Sequence, residues 1–179
     1  MSRISLKTER LLLRRWRSRD LPAFAAMCSD PETMQFIGSG STRTVEQTKR
    51  AVKNFEREWD EKGFGLFALE LVETYAFIGF TGLSEPTFLP EVMPAVEIGW
   101  RIQRTHWGQG YATEAARAVR DFGLIDLKLP NIVSIFQVEN EASRKIVSKI
   151  GMQFDRQTID PTCDRVVEVY RLSNRHNSS

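Results

Sequence analysis

The sequence predicts an α+β fold, in which a mixed and mostly antiparallel central sheet is flanked by helices. Two apolar segments in the first half, 66–70 and 76–83, are typical of an antiparallel hairpin. From residue 96 onward, strand and helix patterns alternate, and segment 132–138 is apolar on both faces, as in a buried strand. A helix that crosses over between two strands of one sheet allows them to run parallel. This half therefore predicts one parallel strand pair, with the right-handed crossover that such connections nearly always have.

The first elements follow from short apolar patterns and capping residues. Segment 9–15 predicts a strand with basic flanks, and apolar residues at helical spacing predict a helix over 21–28. Ser18 and Asp20 are candidate caps for that helix. A second short helix is expected to begin at Pro31, because proline suits the first position of a helix.

A long helix is predicted behind a capping box, in which Thr44 and Gln47 bond to each other's backbone. It is expected to end at Gly63, since glycine readily adopts the left-handed conformation that closes a helix. One apolar stripe of this helix is predicted to face the core. Its members are Val45, Val52, Phe55 and Trp59.

The remaining elements follow from prolines and apolar spacing. Segment 84–95 contains three prolines and predicts a loop, whereas alternation over 96–102 predicts a strand with one apolar face. Apolar spacing predicts helices over 112–125 and 140–150, and 166–172 is expected to be the final strand.

Composition excludes several classes of protein. The 179 residues are predicted to form one domain, 1–179, and with 41% hydrophobic residues the chain is too apolar to be disordered. A net charge of +2 does not favour an obligate nucleic-acid binder. Two cysteines and two histidines are too few for a zinc site or a disulfide framework, so no metal is expected. The chain has no export signal or long apolar run, which predicts a cytoplasmic protein without a membrane partner.

A cluster of arginines surrounds Trp16 near the start of the chain. We interpret it as a solvated edge, with a docking patch for RNA as the alternative. Its members are Arg14, Arg15, Arg17 and Arg19.

The strongest local pattern is Trp107-Gly-Gln-Gly-Tyr-Ala-Thr113, where a turn meets a helix. Its two glycines allow a ligand to approach the backbone closely. The free N–H groups and the partial positive charge of a first helical turn suit an anion such as pyrophosphate. An ordinary glycine-rich turn is the alternative. A dinucleotide-binding Rossmann turn is disfavoured, because Thr113 stands where that motif has its third glycine.

Four segments occur in order along the second half: Val96-Glu-Ile-Gly-Trp-Arg-Ile, Trp107-Gly-Gln-Gly-Tyr-Ala-Thr-Glu-Ala, Asn140-Glu-Ala-Ser-Arg and Gly151-Met-Gln-Phe. With Thr8-Glu-Arg-Leu-Leu-Leu-Arg near the start, they resemble the GNAT acetyltransferases, most closely the RimJ/RimL branch, the ribosomal-protein-alanine N-acetyltransferase type. The resemblance covers about residues 6–172. It implies the GNAT fold, in which the parallel strand pair splays apart and opens a slot for the pantetheine arm of acetyl-coenzyme A.

The resemblance also implies where the cosubstrate, acetyl-coenzyme A, is held. Main-chain N–H groups of the glycine loop bind its phosphates, and N–H groups near Ile98 and Trp100 stabilise the oxyanion. Trp107 departs from the glutamine or arginine usual in the superfamily, although an aromatic residue is familiar there in the RimJ/RimL branch. The expected cofactor-binding residues are Trp100, Arg101, Ile102, Trp107, Gly108, Gln109, Gly110, Tyr111, Ala112, Thr113, Asn140 and Ser143.

Two side chains are candidates for proton transfer. Glu97 is predicted to accept the proton of the amine, directly or through water, with a solvent-facing or ion-paired strand glutamate as the alternative. The resemblance puts Ser143 near the cofactor sulfur, where its hydroxyl can protonate the thiolate, and an ordinary first-turn serine is the alternative. Asn140 can cap its helix and also bind pantetheine. Arg101 lies about 13 Å along the strand from Glu97, too far to be its direct partner.

Together these features predict an N-acetyltransferase that moves the acetyl group of acetyl-coenzyme A to a primary amine in a ternary complex. A peptide or protein N-terminal α-amine is the preferred acceptor, and a polyamine, aminoglycoside or amino-acid derivative is the alternative. A non-catalytic acyl-coenzyme A-binding module and a nucleotide-dependent oxidoreductase are the rivals from other classes. The acceptor walls are expected from 37–44, the following helix and 84–95. A monomer or homodimer that binds no specific nucleic-acid sequence is expected.

Overall fold

In the computed structural model, which describes residues 4–173, eight strands form one mixed sheet with helices packed on it. The strands are β1 (Leu6–Lys7), β2 (Leu11–Arg14), β3 (Leu66–Leu71), β4 (Phe77–Ser84), β5 (Glu97–Ile102), β6 (Asn131–Gln137), β7 (Gln153–Asp160) and β8 (Arg165–Ser173). The helices are α1 (Leu21–Ser29), α2 (Pro31–Met34), α3 (Val45–Lys62), α4 (Tyr111–Asp121) and α5 (Glu141–Lys149). The strand order is β1-β2-β3-β4-β5-β6-β8-β7, and β5 with β6 is the parallel pair among these eight. This arrangement confirms the predicted α+β class.

The capping signals of α3 are confirmed. The Thr44 hydroxyl accepts a hydrogen bond from the Gln47 N–H, and the Gln47 side chain accepts one from the Thr44 N–H, at 3.2 and 2.8 Å. The helix ends at Gly63, whose φ is +73°. The predicted stripe is wrong at Val45, which is 57% exposed, because α3 begins to pack on the core one to two turns later.

Strand β7 was not predicted from the sequence. It reads Gln-Phe-Asp-Arg-Gln-Thr-Ile-Asp, lies at one edge of the sheet and pairs with β8. Most of its side chains are exposed, including Phe154 and Ile159. An edge strand whose two faces are both exposed to solvent does not require alternating apolar and polar residues, and that alternation is the pattern that identifies a strand in sequence.

The two faces of the sheet carry different helices. Helices α4 and α5 cover one face, where Ala115, Val119 and Val147 belong to the same core cluster as Ile98 and Ile102 of β5. Helices α1 to α3 cover part of the other face through an aromatic cluster around Trp16. Because side chains alternate along a strand, the odd-numbered residues of β5 face this second side.

The arginine cluster is a solvated edge only at Arg17 and Arg19, which are exposed, and it is not an open patch of unpaired charge. Arg14 is only 4% exposed, and its guanidinium binds the buried carboxylates of Asp20 and Glu70 at 2.6–2.8 Å. The neighbouring Arg15, Arg17 and Arg19 also reach carboxylates. These arginines therefore tie β2 to β3 and to the start of α1, and their charges are compensated within the protein.

Candidate functional site

The parallel strands β5 and β6 pair at one end and separate at the other. Their register contains the single pair Glu97 and Val133, and the Val133 N–H donates to the Val96 carbonyl at 2.9 Å. No further β5–β6 pair occurs within residues 4–173, although both strands continue for several residues. A slot therefore opens between their carboxyl-terminal ends, as expected from the sequence.

The backbone of Trp100 points into this slot. On the β4 side, the Thr81 hydroxyl donates to the Gly99 carbonyl at 2.8 Å, and the Gln103 N–H donates to the Ile78 carbonyl at 2.8 Å. Backbone groups of successive residues alternate between the two sides of a strand. The N–H and C=O groups of Trp100 therefore face β6, where no strand lies close enough to pair with them.

Helix α4 begins at the end of the slot without a capping side chain. Its N-cap, Gly110, has φ +83°, and Gly108 two residues earlier has φ +73°, conformations that favour glycine. The N–H groups of 111–113 have no partner within the helix, and they combine with the helix dipole into a positive end. This end suits a phosphate group.

Helix α5 begins beside the same slot and is capped differently. Asn140 is its N-cap, and the Asn140 side chain accepts a hydrogen bond from the Ser143 N–H at 3.0 Å. Ser143 is 8% exposed in the first turn. The capping role predicted for Asn140 is confirmed, and the hydroxyl of Ser143 lies on the helix end that borders the slot.

Three residues for which the sequence patterns predict no functional role hold the glycine loop in place. The Thr8 hydroxyl and the Arg10 Nε both donate to the Glu114 carboxylate in the first turn of α4, at 2.6 and 2.7 Å. The Arg10 guanidinium also donates to the Gln109 carbonyl at 2.9 Å and covers the Tyr111 ring. Burial opposes the effect, but hydrogen bonds from Thr8 and Arg10 lower the pKa of Glu114. The opening segment thus braces the loop.

Trp107 fixes the start of the glycine loop. Its indole Nε1 donates to the Ile102 carbonyl at 2.8 Å, which ties the loop to the last residue of β5. This bond occupies the Ile102 carbonyl, and the Ile102 side chain is buried in the core. Of the predicted residues at the end of β5, Trp100 thus presents the backbone best suited to a ligand.

The side chain of Arg101, one of the residues expected to bind the cofactor, points away from the termini of α4 and α5. That side chain lies on the face opposite to α4 and α5, because strand alternation turns it away from Trp100 and Ile102. Its Nη1 is 3.8 Å from the Cys28 sulfur and 3.4 Å from the Met34 sulfur, and its guanidinium stands over the Phe80 ring.

Glu97 occupies the same face as Arg101, at the closed end of the slot. It is half-buried rather than fully exposed to solvent. Burial raises the pKa of Glu97 to about 8, with a smaller contribution from the charge of Asp160 and an opposing one from the Ile135 backbone. No basic group contributes to this shift, and Glu97 is thus a carboxyl that exchanges its proton near neutral pH.

A cleft of about 510 Å³ opens on the face of Glu97 and Arg101. It runs between the segment that follows α2 and the first half of α3, two of the three walls expected for an acceptor. It is lined by Met34, Ile37, Gly38, Ser39, Ser41, Thr42, Arg43, Gln47, Arg50, Ala51 and Asn54. Loop 84–95 does not line this cleft, and its apolar residues pack with Val133, the register partner of Glu97, and with β8.

Two further features bear on function. Residues 4–173 contain no cluster of three or more metal-ligating side chains. In the same part of the chain, no helix is both long and apolar enough to cross a membrane.

Removing the Arg10 brace should weaken cofactor binding. In Arg10→Met the bonds to Glu114 and Gln109 are lost and the loop gains freedom. Because Arg10 is partly exposed, we expect the Kd for coenzyme A to rise only about 2- to 5-fold, as for an exposed ion pair. Calorimetric titration measures this. Arg57→Met removes a similar exposed ion pair far away on α3 and should leave the Kd unchanged; equal effects of the two would contradict the brace.

Comparisons with known proteins agree with this geometry. The family model described as "Acetyltransferase (GNAT) domain" matches residues 10–153. The chain is 30% identical to the uncharacterized N-acetyltransferase YoaA of Bacillus subtilis, over 83% of this chain and 82% of that one. An acetyltransferase structure from Agrobacterium tumefaciens superposes with a TM-score of 0.81 at 30% identity, covering 96% and 95% of the two chains. The structure of RimL, a ribosomal L7/L12 α-N-protein acetyltransferase in complex with coenzyme A, has the same fold, with a TM-score of 0.77 at 14% identity and coverage of 95% and 98%.

Proposed function

The chain belongs to the GNAT acetyltransferase family and is an acyltransferase, and on that premise we propose that it transfers acetyl from acetyl-coenzyme A to a primary amine, in the first instance the N-terminal α-amine of a peptide or protein. The observation that supports this best is the slot beside Trp100, which ends at the uncapped start of α4. The fold shared with RimL supports a peptide α-amine as the acceptor. We propose one GNAT domain for 1–179, and the family match over residues 10–153 supports this.

On the cofactor side, the residues of the chain bind acetyl-coenzyme A and orient its acetyl group. Acetyl-coenzyme A supplies an activated acetyl group as a thioester. The N–H groups of 111–113 would hold its phosphates. The Trp100 carbonyl would accept a hydrogen bond from a pantetheine amide, and the Trp100 N–H would donate to the acetyl oxygen as negative charge develops there. Ser143, at the start of α5, is our candidate for donating a proton to the departing thiolate.

On the acceptor side, Glu97 accepts the proton that the amine loses. The α4 and α5 termini border the slot on one face of the sheet, whereas Glu97 projects to the other face, so an amine and a cofactor can meet through the slot. A carboxyl with a pKa of about 8 is a far better base than an exposed one, because proton transfer is favoured when base and amine are matched.

A thiol-release assay tests the proposal. The full chain is incubated with acetyl-coenzyme A and either short peptides with free α-amines, the same peptides with blocked α-amines but free lysines, or polyamines and aminoglycosides. We expect release with the free α-amine peptides, matched by one acetyl group on the α-nitrogen by mass spectrometry.

The other outcomes identify the alternatives. Release with small amines alone would replace the peptide acceptor by a small molecule. Tight cofactor binding without release across the whole panel would contradict catalysis and favour a non-catalytic acyl-coenzyme A-binding module.

A further inference from the structure

The guanidinium of Arg101 lacks a compensating anion. Its Nε is shielded from solvent and has no hydrogen-bond partner, and its Nη1 reaches only two sulfur atoms, which are weak acceptors. Within residues 4–173 no carboxylate lies within ion-pair distance of it, in contrast to the fully paired Arg14. Burial lowers the pKa of Arg101 to about 10, so it remains a cation at neutral pH. A buried and unpaired charge is costly in a folded protein.

The surroundings of Arg101 are positive and connect to the acceptor cleft. Met34, which contacts the guanidinium, also lines that cleft. The Arg43 N–H binds the Cys28 carbonyl at 2.9 Å, which brings a second arginine to the same place, and its charge acts on Arg101. Arg50 lines the cleft as a third, and no Asp or Glu is among the lining residues.

We propose that the acceptor amine carries a carboxylate, and that Arg101, with Arg43 and Arg50, binds this group. The inference rests on the proposed function, since it names the class of amine that the enzyme uses. Arg101 is of intermediate exposure and is therefore not sealed off from solvent. A planar guanidinium matches a carboxylate in two hydrogen bonds.

Strand geometry limits where the carboxylate sits on the acceptor. Glu97 and Arg101 project to one face from positions about 13 Å apart along β5. We therefore expect the carboxylate to lie several bonds from the amine, as it does in an acidic side chain near the start of a peptide. An α-amino acid, whose carboxylate is attached to the amine-bearing carbon, is too short.

Matched peptides test the proposal. Each has a free α-amine and an amidated C-terminus, and carries one Glu at the second, third or fourth position or Gln at the same position. For the wild type we expect one Glu position to exceed its Gln counterpart in kcat/KM by about 10-fold or more, the value of one charged hydrogen bond. In Arg101→Met the preference should fall below about 2-fold, through a higher KM for the Glu peptide alone.

Two further readouts separate recognition from a structural role. Arg101→Met should not lower the unfolding temperature and should raise it, because it replaces an unpaired cation by an apolar side chain among Met34, Cys28 and Phe80. Arg101→Lys keeps the charge and should retain part of the preference. Equal use of Glu and Gln peptides by the wild type, or an equal loss with both in Arg101→Met, would overturn the proposal while leaving acetyl transfer intact.

A binding experiment tests the carboxylate site without requiring turnover. Calorimetry with coenzyme A present measures the affinity of the N-acetylated Glu and Gln peptides, and we expect the wild type to bind the best Glu peptide about 10-fold more tightly. Absence of thiol release with every peptide would count against the proposed function. Equal affinity for the two N-acetylated peptides would count against the carboxylate site.

Discussion

Glu97→Gln is expected to lower kcat by about 10²- to 10⁴-fold, the usual contribution of a general base. The amide keeps the size of the side chain and loses its basicity, so the Kd for coenzyme A should stay within about 2-fold of the wild type. Steady-state rates with one identified amine measure the loss. A fall smaller than about 10-fold would show that the amine arrives neutral and needs no base at this position.

The pH dependence gives the same prediction a second readout. The pKa of Glu97 is about 8, and only the deprotonated form accepts a proton, so wild-type kcat should rise with pH and level off above about pH 8. Peptides whose α-amines differ in pKa separate the two titrations, because a limb that belongs to Glu97 keeps its midpoint while the amine's own titration moves with the peptide. Glu97→Gln should lose the rising limb, and an unchanged limb would assign it to another group.

The pH dependence of the free energy of unfolding should reveal the raised pKa of Glu97 without any substrate. Between about pH 4.5 and 8 the folded protein holds a proton on Glu97 that the unfolded chain has released. The folded state therefore binds more protons, and the free energy of unfolding falls as pH rises through this interval. Denaturant titrations at several pH values should show this fall in the wild type and a weaker one in Glu97→Gln.

Ser143→Ala provides the comparison within the site. We expect a smaller loss of kcat than in Glu97→Gln, because a coenzyme A thiol has a pKa near that of cysteine, about 8.5, and leaves tolerably without an acid. The reverse order of the two losses would move the main catalytic role to Ser143.

Gly110→Val is expected to raise the Kd for acetyl-coenzyme A by at least about 10-fold, or to abolish binding. Gly110 has φ +83°, where a side chain costs about 1–2 kcal/mol and a β-branched one more. Relief of that strain would rotate the backbone and turn the N–H groups of 111–113 away from the phosphates. Calorimetric titration measures the change.

Gly63→Val is a matched control for this substitution. Gly63 closes α3 with φ +73°, no atom lies within 4 Å of an added Cβ, and it has no part in the glycine loop. The control should lose stability in a similar way while its Kd stays unchanged. A folded Gly110→Val that binds the cofactor like the wild type would contradict the assignment of the loop.

Features that depend on neighbours in sequence could be predicted. The capping box of α3, its end at Gly63 and the glycine turn before α4 follow from interactions within a few residues. The parallel pair with its splay followed from the order of motifs and the family resemblance. Strand β7 could not be predicted, because an exposed polar edge strand carries no apolar period.

Features that depend on distant contacts could not be predicted. Arg10 and Glu114 are 104 positions apart, and only the folded sheet brings them together to brace the glycine loop. Alternation along β5 puts Arg101 on the face of Glu97, but the sulfur and aromatic neighbours that leave it unpaired come from α1, α2 and β4. Pairing of Arg14 with Glu70 depends on the register of β2 and β3.

The most direct test of the central claim is a crystal structure of the chain with coenzyme A. We expect the phosphates to lie within about 2.7–3.2 Å of the N–H groups of 111–113, and the pantetheine amides to pair with the Trp100 backbone in the slot. The thiol should then lie between Ser143 and the side of the sheet that carries Glu97. Phosphates bound away from α4, or β5 and β6 hydrogen-bonded along their full length with the cofactor outside, would contradict the account.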